Sequence, residues 1–171
     1  MTVTYCEARG PAGPVFVAAT RRGVCAVAPV SVTEDEFVAR LRLALRVARR
    51  VELADMPSAV REELREHGVR ARPSSGLPLD LTSLTEFQRS VLTDVATIPA
   101  GETRSYREVA EAVGRPGAAR AVGGVMACNP VPFLVPCHRV VRSGGSMGGY
   151  GYGVGLKRSL LAAEGWPGIA A

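Results

Sequence analysis

Residues 105–127 read SYREVAEAVGRPGAARAVGGVMA. Ser105 can cap a helix over Tyr106–Val113, which carries Val109, Ala110 and Val113 on one side. Gly114-Arg115-Pro116-Gly117 is a short turn. Ala118–Ala127 then reads as a second helix built almost wholly of small residues, with Arg120 and Met126 as its larger side chains. Two short helices around a tight turn, the second with little bulk, have the form of a helix-turn-helix. Small side chains let that helix come close to another surface, either a neighbouring helix or a DNA groove.

Upstream, Thr85 can cap a helix containing Phe87, Val91, Leu92 and Val95, ending before Pro99-Ala100-Gly101. Arg70–Pro78 is rich in turn formers and marks a boundary. The first part of the chain reads differently. Residues 15–19 and 24–28 are two strands joined by a hairpin turn in which Gly23 is free to take positive φ. Thr33 followed by Glu34, Asp35 and Glu36 starts a helix, with acids on its positive end. Phe37, Leu41, Leu45 and Ala48 continue it at helical spacing, and a second, polar helix covers residues 57–67. The predicted fold is α+β. A small domain with an antiparallel sheet and helix spans residues 1–76, and a mostly helical domain with the helix-turn-helix spans 77–171.

The 171 residues suffice for one ordinary domain or two small ones. The longest apolar runs are too short to cross a bilayer, and the first residues lack a basic segment followed by an apolar one. Four scattered cysteines do not form a disulfide framework, which points to a reducing, cytoplasmic setting. The net charge is +5, and residues 105–160 hold seven basic but only two acidic side chains. That local excess suits a polyanion such as DNA, or is a solvated basic face.

Downstream, Pro130, Pro132 and Pro136 frame the stiff apolar segment Phe133-Leu134-Val135. Seven glycines crowd residues 144–155 around Tyr150 and Tyr152, a loop that bends sharply or approaches a ligand closely. No Gly-Lys-Ser/Thr ending marks a phosphate loop. A helix over residues 156–164 closes the chain. Between loop and prolines lies Pro136-Cys137-His138-Arg139-Val140. A cysteine attacks as thiolate, and a nearby base lowers the cost of forming one. Adjacent Cys and His side chains often point apart, so a bridging water or a turn imposed by Pro136 is needed to connect them. Glu164 is a carboxylate candidate for orienting the imidazole.

Several motifs together resemble the O6-alkylguanine-DNA alkyltransferase family. They are residues 115–124, Asn129-Pro130, residues 136–141, Phe87-Gln88, residues 98–103, Ser105-Tyr106 and residues 160–165. The resemblance covers roughly residues 77–166, in order. It implies single-turnover DNA repair, in which Cys137 takes the alkyl group from O6 of a damaged guanine, with O4-alkylthymine as a second candidate substrate. His138 would act as base through water, supported by Glu164. Asn129 would hold the active-site turn, and Tyr106 would supply a donor at N3 of the departing base. The base would be flipped out of the duplex, with Arg120 filling the gap, Tyr106 crowding the 3′ phosphate and the slim helix of Ala119, Ala121 and Gly123 in the minor groove. Met126, Pro132, Val140, Tyr150 and Gly151 would line the guanine pocket. The implied partner is double-stranded DNA carrying alkylated guanine, bound by a monomer, with no membrane and no cofactor.

Some positions depart from the family pattern. Leu92 stands where tryptophan is common, Met126-Ala127-Cys128 lacks a frequent polar residue, and Gly151 leaves the pocket mouth without a side chain. Cys6 and Cys25 resemble the cysteines of a structural zinc site found in some members, but residue 30 is Val and the only other histidine is His67, so no zinc is expected. A lesion-binding relative would lack Cys137, and a Cys-His hydrolase would leave the helix-turn-helix without a purpose.

Overall fold

The structure is a computed structural model that describes residues 2–45, 47–70 and 77–169. It divides into two compact units. The first holds the described residues up to 70 together with 77–83 and 130–133, and the second holds 84–129 and the described residues from 134 onward. Of the turn-rich stretch 70–78, residues 71–76 lie outside the described ones.

The first unit is built on β1 (Thr2–Gly10), β2 (Gly13–Thr20), β3 (Gly23–Pro29) and β4 (Val47–Arg50), ordered β3-β2-β1-β4. The expected hairpin is β2–β3, and Gly23 has φ 143° at its turn. β1 pairs antiparallel with β2, Tyr5 facing Ala18. β1, for which the sequence sets no expectation, carries the β-branched run Thr2-Val3-Thr4 at its start. β4 pairs parallel to β1, so the sheet is not wholly antiparallel. The cause is the crossover through α1 (Glu34–Leu45), which returns the chain in the direction of β1. Ala48, expected on α1, lies in β4 instead.

Thr33 and Glu36 cap α1 reciprocally. Thr33 N donates to the Glu36 carboxylate (2.9 Å), and Glu36 N donates to Thr33 Oγ1 (3.3 Å). Phe37 from α1 stacks on Phe16 at 5.4 Å and meets Tyr5 edge-on at 5.9 Å. The polar helix is α2 (Ser58–His67), which buries Val60 and Leu64. Two segments distant in sequence join this unit by backbone bonds. Val24 N donates to Pro78 O and Asp80 N to Val24 O (both 2.8 Å), and Val27 N donates to Pro130 O (2.7 Å).

The second unit contains α3 (Glu86–Ala96), β5 (Arg104–Ser105), α4 (Tyr106–Ala112), α5 (Ala119–Ala127), β6 (Val140–Val141) and α6 (Val154–Ala163). Thr85 caps α3 in a capping box with Gln88. Val91, Leu92 and Val95 of α3, Val109 and Ala110 of α4, and Val122 of α5 are fully buried in this unit. Leu92 therefore fills core space where the family pattern carries a larger ring. Gly114, with φ 70°, ends α4, and Arg115 N bonds back to Ala110 O (2.8 Å), which makes the tight turn before α5. β5 and β6 form a two-residue parallel pair, Arg104 with Val140 and Ser105 with Val141. It ties the start of α4 to the end of the Cys-His segment.

Among the described residues no helix is long and apolar enough to cross a membrane. The four cysteines are unpaired. Burial pushes the Cys6 thiol up to about 11 and the Cys25 thiol up to about 12.

Candidate active site

Each side chain of interest in the second unit is placed by a local backbone feature. Ser105 Oγ accepts from Glu108 N (3.2 Å), and the Glu108 carboxylate accepts from Ser105 N (2.6 Å). This capping box starts α4 at Tyr106. The half-buried Tyr106 ring lies over α5, where any Cβ on Gly123 would stand 4.0 Å from it. Asn129 follows α5. Its Nδ2 donates to Val135 O (3.0 Å), and its side chain also hydrogen-bonds the Cys137 thiol. Between Asn129 and Val135, Phe133 has φ 70°, a left-handed conformation that costs a non-glycine residue about 1–2 kcal/mol. The chain then enters a 3₁₀ turn over Cys137–Arg139, where Cys137 N donates to Val135 O and Arg139 N to Pro136 O (both 2.8 Å).

Successive side chains of a 3₁₀ turn point about 120° apart. Cys137 and His138 accordingly diverge and form no hydrogen bond with each other. His138 Nε2 meets Glu164 Oε1 at 2.9 Å, so the carboxylate selects the tautomer protonated on Nε2. Nδ1 is left as the basic nitrogen, and it is buried with no hydrogen-bond partner. Arg139 grips the same carboxylate, Nε to Oε2 (2.9 Å) and Nη2 to Oε1 (2.7 Å), and Nη1 donates to Ile98 O (2.5 Å). Burial alone would raise Glu164, but the hydrogen bonds and charges of His138 and Arg139 outweigh it and hold the carboxyl at about 2.

Cys137 lies on the wall of a cavity of about 340 Å³, enclosed with it by Tyr106, Gly123, Met126, Ala127, Gly149, Tyr150 and Gly151. That volume falls within the range of small-molecule sites. Burial pushes the Cys137 thiol up, opposed by Asn129, by Tyr150 and by the charge of Lys157. The thiol is therefore neutral at neutral pH and needs a base before it can attack. Tyr150 Oη faces the sulfur but makes no hydrogen bond of normal geometry, so this contact is electrostatic. Burial also pushes Tyr106 up, which keeps its hydroxyl protonated.

The cavity brings together Cys137, Tyr106, Met126, Gly123, Tyr150 and Gly151, with Asn129 bonded to the sulfur. Pro132 and Val140 are not among its lining residues. Pro132 is buried in the segment grouped with the first unit. Val140 is fully buried, and its carbonyl accepts from Lys157. Arg120 and Ala121 are exposed on α5 and Ala119 is half-buried. Arg120 makes no ion pair among the described residues. Cys128 is exposed at the end of α5.

Two residues of this site are given no role by the sequence. Arg139 is a charge set between the apolar runs 133–135 and 140–141, and such a position demands a buried partner. Lys157 shares the buried face of α6 with Leu160 and Leu161, at the i, i+3, i+4 spacing of an apolar stripe. A charge on that face was the available signal.

The family model for the DNA-binding domain of 6-O-methylguanine DNA methyltransferase matches residues 86–166. A methylated-DNA–protein-cysteine methyltransferase of Mycolicibacterium paratuberculosis is 53% identical over 88 residues, 52% of this chain and 53% of that protein. The bifunctional transcriptional activator/DNA repair enzyme Ada of Escherichia coli is 37% identical over 166 residues, 96% of this chain and 46% of that protein. The matched stretches thus span about half the length of these curated relatives. The crystal structure of Mycobacterium tuberculosis OGT in complex with DNA superposes with a TM-score of 0.73 at 32% identity, covering 97% of this chain and 96% of that one. At that identity and that mutual coverage, the chain belongs to the O6-methylguanine DNA methyltransferase family.

Proposed function

We propose that this protein repairs alkylated DNA by moving an alkyl group from O6 of guanine to Cys137, once per molecule. The observation that carries the reading is the Cys137 thiol on the cavity wall, followed in the chain by an imidazole whose Nε2 is fixed to Glu164 and whose Nδ1 is a buried, unpartnered base. A water between Sγ and Nδ1 would carry the thiol proton to His138, and the Glu164 carboxylate would stabilise the imidazolium. The sulfur then attacks the alkyl carbon in line. The S–C bond forms as the C–O6 bond breaks, and the bonding pair leaves with the guanine. Tyr106, kept protonated by burial, would donate to N3 of that anion. The thioether product cannot be reversed by any group in the site, so turnover ends there.

The substrate base lies inside a duplex and must be flipped to reach the cavity. The exposed Arg120 on the slim helix α5 would occupy the gap from the minor groove, with Ala119, Ala121 and Gly123 allowing close approach. The M. tuberculosis neighbour is described in complex with DNA, which supports DNA as the partner, proposed here to be double-stranded. Met126, Tyr150 and Gly151 would hold the guanine. O4-alkylthymine would be a second substrate. The protein would work as a monomer in the cytoplasm, with residues 77–171 as the alkyltransferase part.

Intact-mass spectrometry after incubation with a duplex containing O6-methylguanine tests this. One methyl group per molecule, mapped to Cys137 and absent from Cys137→Ala, is the expected result. Duplex binding without mass gain would replace the reading with lesion recognition, and neither binding nor gain would leave only shared ancestry.

A further inference from the structure

Lys157 is fully buried and has no carboxylate partner among the described residues. Its ammonium donates to three backbone carbonyls: Val140 at 2.6 Å, Met147 at 2.5 Å and Gly149 at 3.4 Å. Three donors meet three acceptors, so the group is saturated. The acceptors come from two separate places. Val140 directly follows the Cys137–Arg139 turn, and Met147 and Gly149 belong to the glycine-rich loop that walls the cavity. Backbone dipoles alone are a weak substitute for a counter-ion, and a buried cation without one is costly. Among the groups that interact with Lys157, the one that can become anionic is Cys137.

We infer that Lys157 is a positioning residue that fastens the cavity loop to the Cys137 turn, and that its fixed charge favours the Cys137 thiolate, serving as counter-ion during attack. This rests on the alkyl-transfer reading above. An uncharged side chain could brace the loop, but only a cation serves both purposes. The groups facing this pair are Arg142, Tyr106 and Tyr150, with Tyr152 against Tyr150. The His138–Glu164–Arg139 cluster follows in the chain. Burial lowers Lys157 to about 8, with Cys137 raising it and Arg142 lowering it, so it is largely charged at pH 7.

The test uses the full chain and Lys157→Met, which keeps most of the length of the side chain and removes its charge together with its hydrogen bonds. Iodoacetamide labelling of Cys137, quantified by peptide mapping across pH 6–10, reports the thiolate fraction without DNA. The expected result is a labelling rate about tenfold lower than that of the unsubstituted protein at pH 7, as for a thiol pKa raised by about one unit, with the gap closing by pH 10, where Lys157 itself has lost its proton and charge. An equal loss at both pH values, or none, overturns the electrostatic role. If Lys157→Met does not fold, the coupling is read from the other side by ¹⁵N NMR of the Lys157 ammonium in the unsubstituted protein and in Cys137→Ser. Loss of the thiolate should lower the Lys157 midpoint, and an unchanged midpoint overturns the inference. Methyl transfer by the unsubstituted protein alongside unchanged labelling in Lys157→Met sinks this inference alone. Absence of methyl transfer sinks the functional reading and leaves the labelling result to stand separately.

Discussion

Glu164 illustrates how much one carboxylate can hold. It satisfies His138 Nε2 and two nitrogens of Arg139, and both partners are buried. Removing it leaves a buried guanidinium short of its counter-ion, a change that costs about 3 kcal/mol in comparable pairs. Glu164→Ala should therefore lose about that much in urea unfolding, and methyl transfer should slow because the imidazole is no longer held in one tautomer. Glu164→Gln keeps oxygen and nitrogen for hydrogen bonds but not the charge, so it too should lose stability at neutral pH, and it should slow transfer, since an amide cannot stabilise the imidazolium. Gly148 makes a second residue-scale case. It has φ 66°, and a Cβ there would stand 3.2 Å from Tyr106 Oη and 3.4 Å from Arg142 Cγ. Gly148→Ala should cost about 1–2 kcal/mol from the left-handed backbone alone. It should also displace the Tyr106 hydroxyl, and single-turnover kinetics should show slower transfer with the Cys137 labelling rate unchanged. At this scale the sequence carried Cys137, His138 and Glu164, because their chemistry is local to their side chains. It did not reveal that Arg139 shares the Glu164 carboxylate, because the acid is assigned to the imidazole alone and a guanidinium suggests no role of its own in the transfer.

At the scale of elements, the helix starts were legible and the sheet edges were not. Thr33, Thr85 and Ser105 each announce a helix, because a capping hydroxyl acts within three residues. β4 and the β5–β6 pair escaped notice. They are four and two residues long, and their partners lie 45 and 36 residues away, so no local pattern marks them. The Ala48 error follows from the same limit: helical spacing continued past Leu45, but pairing with β1 claimed the residue. The two capping boxes of the second unit offer a matched pair of variants. Ser105→Ala and Thr85→Ala should each cost about 1 kcal/mol in thermal or urea unfolding. Only Ser105→Ala loosens the first turn of α4, where Tyr106 sits, so only it should slow transfer from a duplex. Equal kinetic effects from both would separate Tyr106 from the cap that places it.

For the molecule as a whole, the titrating groups prescribe a stability curve with two limbs. Asp80 in the first unit accepts from Thr20, Thr82 and Arg22, and these bonds overcome burial to hold it at about 2. Glu164 in the second unit also sits at about 2. Both carboxyls titrate near 4 in an unfolded chain. Their contribution is thus complete above about pH 4.5 and is lost as pH falls toward 2, at up to about 1.4 kcal/mol per pH unit for each group. The alkaline limb has the opposite origin. Burial raises Cys6 to about 11 and Cys25 to about 12, so the folded thiols stay protonated while unfolded ones ionise from about 8.5 upward. Stability falls as pH rises through that window. Lys157 opposes the loss, because its lowered value makes the fold gain between about 8 and 10.5. Urea unfolding across pH 2–11 should give a plateau from about 4.5 to 8. Asp80→Asn and Glu164→Gln should each flatten the acid limb, and Cys25→Ala should flatten the alkaline one. Trp166, the single tryptophan, lies in the second unit and reports its unfolding by fluorescence. Should Cys25→Ala leave the alkaline slope unchanged, the buried thiol of β3 is not what limits the fold at high pH, and the ionisation of Cys6 or the tyrosines must carry it.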